Sequence, residues 1–335
     1  MHLDVCGGCN AKIGAGNLSE ILAKLPVHRR EDILAGFEGN EDGAIIQIAD
    51  DLAVVTSLDF FPPMVEDAYA FGKIAAANAL SDLYAMGAEP VSAMNIVAFP
   101  EEEDLSVLDA ILQGGAEVCK EAGATLCGGH SIHDPKIKYG LCVIGKLKLS
   151  EILRNNTARP GDALYLTKPL GVSLLMSGYQ VDEVAEEDYT RAVESMCRLN
   201  KGAYEILRNY RVHALTDVTG FGLLGHLSEM AENAGAVILA DHLNILPGAK
   251  EAAENFLFTA GGQRNRNAYG ENVAFEIDDF ALEEVLFDPQ TSGGLLISVD
   301  PEDGENMLEA MHRAGIEAAC IGEMIEKSDK KIYVR

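Results

Sequence analysis

Residues 68–86, AYAFGKIAAANALSDLYAM, constrain the fold more than any other stretch of the chain. Apolar residues recur there at helical spacing, which predicts a long amphipathic helix. Ala75, Ala76, Ala77 and Ala79 allow close packing against a partner. Asp82 falls on the same face as the apolar residues, where a carboxylate cannot stay ionised and buried without a partner. The helix must therefore lie on a layer that supplies a hydrogen-bond donor or a cation.

Around that helix, strands and helices alternate. AIIQIAD and LAVVTSLDFF read as two β-runs joined tightly through Asp50 and Asp51. PVSAMNIVAF reads as a strand, 104–122 as a helix and YGLCVIGKLKL as another strand; ahead of them all, 17–25 suggests a short helix with Asn17 as its cap. The polar stretch NNTARPGDAL marks a domain boundary near residue 155. Beyond it, ALYLTKPL, RVHALTDV, GAVILAD, GGLLISV, AACIGEMI and KIYVR read as strands. Segments 170–178, 184–207, 220–234 and GENMLEAMHRAG read as helices, and AGGQRNRNAYG, within 250–280, as a long loop. A length of 335 residues exceeds one ordinary core, so the expectation is two domains of mixed α/β and α+β architecture.

Charge narrows the partners. A formal net charge of −27 argues against nucleic acid, whose phosphates demand Lys and Arg. No stretch approaches the roughly 20 apolar residues of a membrane span. No basic segment followed by an apolar run opens the chain, and the seven cysteines are odd in number and mostly set in apolar runs. Reduced thiols and a cytoplasmic location are expected. Most of the 53 Asp and Glu residues serve as solvated surface.

Two phosphate-loop patterns fail on inspection. GLCVIGKL carries Leu147 where a Walker motif needs Ser or Thr, and its middle is a β-run. GFGLLG, at 220–225, fits G-x-G-x-x-G but finds only Asp241 as its distant acid, a weak match for dinucleotide binding. His130 and His133 have a spacing open to zinc, yet no second Cys/His pair stands nearby in sequence. Gly128 and Gly129 more readily let backbone N–H groups approach an anion.

Aspartates offer another route to a nucleotide. Asp50, Asp51 and Asp59 stand in or beside β-runs, Asp82 on an apolar helix face, and Asp217 between an apolar run and a glycine turn. Each is open to a capping or backbone hydrogen-bond role. Together, in so acidic a chain, they suggest that carboxylates hold Mg²⁺ and Mg²⁺ holds phosphates. Near the start, CGGCNAKIGAG places Cys6, Cys9 and Lys12 among glycines. A redox pair, half a zinc site and an arm bearing one reactive thiol all fit this spacing; a thiol beside a lysine gains nucleophilic character.

GGCNAKI, IADD, TSLDFF, FGKIAAANALSDLYAMGAEPVSAMNIVAFP, CGGHSI, LTKPLG, ALTDVTGFGLLGHL and DPQTSGGLL, in that order, resemble the selenophosphate synthetases. These belong to the aminoimidazole-ribonucleotide-synthetase-like group of ATP-using enzymes. The resemblance implies a two-domain fold, with an N-terminal α/β domain that binds ATP and dimerises, and a C-terminal α+β domain. In this chain these would be 17–155 and 156–335, preceded by a glycine-rich catalytic arm at 1–16. The implied reaction converts ATP, selenide and water to selenophosphate, AMP and orthophosphate. Cys9 and Lys12 match catalytic positions. Asp51, Asp82 and Asp217 match Mg²⁺ ligands. Lys12, Ile48, Ala49, Asp50, Asp59, Asp82, Gly129, His130 and Ser131 match ATP-contacting positions, with 129–131 read as a turn. A homodimer is implied, and a selenium-delivery protein is an admissible partner. The chain departs from some members in having Ala11 two residues after the catalytic cysteine and Cys6 three before it, so Cys6 takes no role by similarity. A related ATP-dependent enzyme and a non-catalytic metal- or selenium-binding protein are the rival readings.

Overall fold

The computed structural model describes Leu3 and residues 21–22, 24–28, 30–36 and 41–335. The expected glycine-rich arm at 1–16, with Cys6, Cys9 and Lys12, lies outside the described residues apart from Leu3, as does the expected Asn17 cap.

The N-terminal sheet follows from a period of two. Strands β1 (Ile33–Ala35), β2 (Ala44–Ala49), β3 (Leu52–Phe61), β4 (Glu89–Phe99), β5 (Thr125–His133) and β6 (Lys138–Leu147) pair in the order β1-β2-β3-β6-β4-β5. Only β4 and β5 run parallel, joined through helix α2 (Leu105–Ala122). In β3 the odd residues Ala53, Val55 and Phe61 turn inward and are buried, whereas Leu58 and Phe60 face outward, 53% and 48% exposed. Gly129-His130-Ser131, expected as a turn, belongs to the edge strand β5. Glycine there serves close approach: a Cβ on Gly129 would lie 2.2 Å from the Asn95 carbonyl oxygen on β4.

Helix α1 (Ala68–Ala85) begins where Asp67 accepts a hydrogen bond from the Ala70 amide at 2.6 Å. It is not amphipathic, as its pattern suggested, but buried on nearly every side. The reason lies in its position: it packs on β3 and β6 of its own sheet, on α2 beside it, and on the C-terminal domain across from it. Helix α2 approaches so closely that a Cβ on Gly72 would lie 2.0 Å from the Ile111 carbonyl oxygen.

The C-terminal domain holds a mixed seven-stranded sheet. Its strands are β7 (Ala163–Leu166), β8 (Val212–Asp217), β9 (Gly235–Ile238), β10 (Val273–Phe275), β11 (Leu295–Val299), β12 (Ala319–Ile325) and β13 (Ile332–Val334), in the order β10-β13-β9-β12-β7-β11-β8. Helices α3 (Val172–Tyr179), α4 (Glu186–Cys197), α5 (Lys201–Leu207), α6 (Gly222–Met230), α7 (Ala249–Glu254), α8 (Ala260–Tyr269), α9 (Phe280–Phe287) and α10 (Pro301–Arg313) surround it. The segment AGGQRNRNAYG is helix α8 rather than a loop. Polar contacts hold it: Thr259 caps it, Asn265 donates to the Gly220 and Phe287 carbonyls, and Arg266 pairs with Glu283 and Glu284. GLCVIGKL is strand β6, as expected. GFGLLG leads from β8 into α6, but β8 is an edge strand and β9 lies beyond β11, β7 and β12. It thus lacks the adjacent parallel strands of a dinucleotide site.

Candidate active site

The two domains meet along α1, and the expected aspartates gather there. Ser57 and Asp59 point inward from β3; Asn78 and Asp82, four residues apart on α1, face them. The Ser57 hydroxyl donates to Asp82 Oδ2. Asn78 Nδ2 donates to Asp59 Oδ2 at 2.7 Å. From the other domain, β8 ends in Asp217, which is 1% exposed. Next to it the Thr216 hydroxyl donates to Asp42 Oδ1 at 3.1 Å.

Burial and mutual repulsion act on this group. Burial pushes the Asp82 carboxyl well above the usual range, and the charges of Asp59, Asp217 and Asp42 push it further; only the Ser57 hydrogen bond opposes them. Asp42 is driven the same way, by burial first and then by Asp217 and Glu229. Its Oδ2 is buried without a hydrogen-bond partner. Asp42 escaped sequence reading because GNEDGA offers no apolar run for it to interrupt. Its setting is tertiary: beside it Glu41 pairs with Arg154 at 2.7 Å, and the Arg154 carbonyl accepts from the Leu215 amide of β8.

The other expected residues lie elsewhere. Asp50 and Asp51 are exposed in the β2–β3 turn, and Ile48 beside them is 57% exposed. Gly129, His130 and Ser131 sit on the far edge of the sheet. Strands β6 and β4 separate them from β3 by roughly 14 Å at ordinary strand spacing. Within one chain, then, Asp59, Asp82 and Asp217 come together, and Asp51 and 129–131 stand apart from them.

The donor set suits a hard divalent cation: clustered carboxylate oxygens, one of them buried without a donor. No three His, Cys, Asp or Glu side chains among the described residues converge tightly enough to hold a metal alone.

A second polar group borders the acids. The DPQTSGG segment turns back from α9 into β11, its side chains buried. Asp288 Oδ2 accepts from the Ser173 and Leu174 amides, and Gln290 Oε1 from those of Gly171 and Val172, which caps α3. Lys168 is buried and donates from Nζ to the carbonyl oxygens of Arg198 and Ser292, each at 2.6 Å. Burial and the neighbouring Arg198 charge push its pKa down to about 7. In the sequence both segments carry the family resemblance but neither takes a role, since a lone lysine in LTKPLG has no periodic signal.

The AIR synthase related protein profiles match residues 40–147 (N-terminal domain) and 159–335 (C-terminal domain). A selenide, water dikinase of Agathobacter rectalis is 49% identical over 331 residues, covering 98% of this chain and 97% of that protein. One of Desulfitobacterium hafniense is 48% identical over 332 residues, with the same coverage. Among solved structures, a thiamine-monophosphate kinase of Stenotrophomonas maltophilia shares the fold, with a TM-score of 0.67 at 19% identity over 100% of this chain and 97% of that one. The chain belongs to the selenide, water dikinase family, built on the two-domain AIR synthase related fold.

Proposed function

We propose that this protein is an ATP-dependent selenophosphate synthetase: ATP, selenide and water give selenophosphate, AMP and orthophosphate. Near-full-length kinship at 48–49% identity carries this reading. The buried carboxylates at the domain seam supply chemistry to match, since a chain of net charge −27 needs a cation to approach a triphosphate.

Asp82 and Asp217, with Asp42 as a further carboxylate, would hold Mg²⁺, and Asp51, exposed in the β2–β3 turn, is no part of that set. That cation, when bound, neutralises phosphate charge. Asp59 and Lys12 orient the nucleotide, and Lys12 adds positive charge at the phosphoryl group being transferred; Ile48, Ala49 and Asp50 lie towards the opposite end of β3 from Asp59. Cys9 guides selenide to the γ-phosphorus. Hydrolysis of the remaining ADP demands that water be kept out until the first transfer is complete. Closure by the glycine-rich arm at 1–16 would serve that need.

The outward face of the N-terminal sheet supports a homodimer. Leu58, Phe60, Met94 and Ile132 project from it, between 41% and 54% exposed. A contiguous apolar sheet face of this kind is a surface for a second copy. Such pairing also gives Gly129, His130 and Ser131, remote from Asp59 within one chain, a route to a nucleotide.

A phosphorus NMR assay with ATP, Mg²⁺ and selenide tests the reading. Selenophosphate and AMP should appear together and only with selenide. Accumulation of ADP alone would point instead to a related small-molecule kinase. Lys12→Ala should abolish selenophosphate production and Cys9→Ser should reduce it; full activity in Lys12→Ala would remove that residue from the mechanism.

A further inference from the structure

Asn78 belongs neither to the expected nucleotide contacts nor to the expected metal ligands, yet it is fully buried at the domain seam. Both ends of its amide are engaged. Nδ2 donates to Asp59 Oδ2 at 2.7 Å, and Oδ1 accepts from the Ser292 amide at 2.9 Å. A carboxylate only accepts and a backbone N–H only donates, so this orientation of the amide is chemically determined.

The turn that supplies the Ser292 amide is pinned from every side by its own domain. Lys168 donates to the Ser292 carbonyl, Asn200 donates to the Gly293 carbonyl at 2.8 Å, and the Val218 amide donates to the Gly294 carbonyl at 2.8 Å. A Cβ on Gly293 would lie 1.9 Å from the Val218 carbonyl oxygen, and one on Gly294 would lie 2.4 Å from the Lys168 nitrogen. Ser292 itself holds a left-handed conformation at φ 50, which a non-glycine residue keeps only when its surroundings impose it. Three residues on, Leu295 stands opposite Asp217 in the β8–β11 ladder. One rigid turn therefore sits beside Asp217 and, through one amide, reaches Asp59 in the other domain.

We propose that Asn78 is a positioning residue that fixes Asp59 relative to Asp217 by relaying the placement of the Ser292 turn across the domain seam. The inference rests on the reading of Asp59 as a nucleotide contact. Without Asn78, the Asp59 carboxylate loses the Nδ2 hydrogen bond that ties it to the Ser292 turn, and nucleotide affinity should fall although no direct ligand contact has been removed.

A double-mutant cycle on the full chain tests this, with calorimetric binding of Mg²⁺ and the β,γ-methylene analogue of ATP as readout. Asn78→Ala should weaken binding about 10-fold and Asp59→Asn at least as much. The double variant should bind no more weakly than Asp59→Asn alone. Multiplying losses would show that Asn78 acts through general structure and would overturn the inference. Unchanged affinity in Asp59→Asn would instead overturn the reading of Asp59 as a nucleotide contact. If Asn78→Ala fails to fold, the nearly isosteric Asn78→Asp carries the same cycle, because it keeps the acceptor for Ser292 and loses the donor to Asp59.

Discussion

Lys168→Met isolates what a buried amine contributes at the hub of the C-terminal domain. In the folded protein Lys168 has a pKa of about 7, against 10.5 for an ordinary lysine. The groups that bear on it are known: burial and Arg198 lower the value, Asp217 and Cys197 raise it. The two short carbonyl contacts, to Arg198 and Ser292, match the two N–H groups of a neutral amine. Because the folded value lies below the unfolded one, the unfolded chain binds the extra proton between the two. The contribution of Lys168 to stability then rises with pH from about 7 towards 10.5 and falls again as the pH drops through that window. At about 1.36 kcal/mol per unit, the whole interval sets a ceiling of roughly 5 kcal/mol.

Methionine has similar reach and no proton to exchange, so Lys168→Met lacks this dependence. Chemical denaturation of both proteins at about pH 7 and about pH 9 should show wild type gaining roughly 2 kcal/mol on the variant. Groups that titrate alike in both proteins cancel in that difference. Parallel pH dependences, or a wild type that loses ground as pH rises, would refute the assignment of a depressed lysine pKa.

Three further outcomes follow from the packing. Asp82→Asn removes the carboxylate most crowded by its neighbours; a thermal melt without Mg²⁺ should show the fold kept or raised by about 1 kcal/mol, while selenide-dependent AMP release falls at least about 100-fold. Gly72→Ala places a Cβ 2.0 Å from the Ile111 carbonyl oxygen and should cost about 1–3 kcal/mol by forcing α1 from α2, read as a lowered denaturation midpoint. Leu58→Glu with Phe60→Glu puts charge on the open sheet face and should halve the mass seen by light scattering if that face joins two copies.

How much of this was legible in the sequence depends on how many surfaces act on a residue. Asp59, Asp82 and Asp217 are legible because each lies in or beside an apolar run or face, but Asp50 and Asp51 carry the same signal and are exposed in a turn, since a run does not say which of its ends meets another domain. Helix α1 has two buried faces: β3 and β6 cover one side, and β8, α4 and α5 cover another. Its pattern reads as amphipathic because periodicity registers a single stripe, whereas a helix enclosed between domains has no polar side to contrast with it. Asn78 disappears in that setting, since an amide among alanines declares no partner until Ser292, more than 200 residues away, arrives opposite it. Asp42 is hidden by the opposite circumstance, an acidic glycine-flanked context that resembles solvated surface until Thr216 closes over it. Helix α8 is the same lesson in a third form, its few apolar residues replaced by Arg266 and Asn265 acting on α9 and its neighbouring carbonyls. In each case the missing information is a contact between distant segments, and the acid pocket is where most of those contacts converge. The domain seam is thus both the part least readable from local pattern and the part on which the chemistry depends, because only there can two rigid sheets hold like charges together for a cation to join.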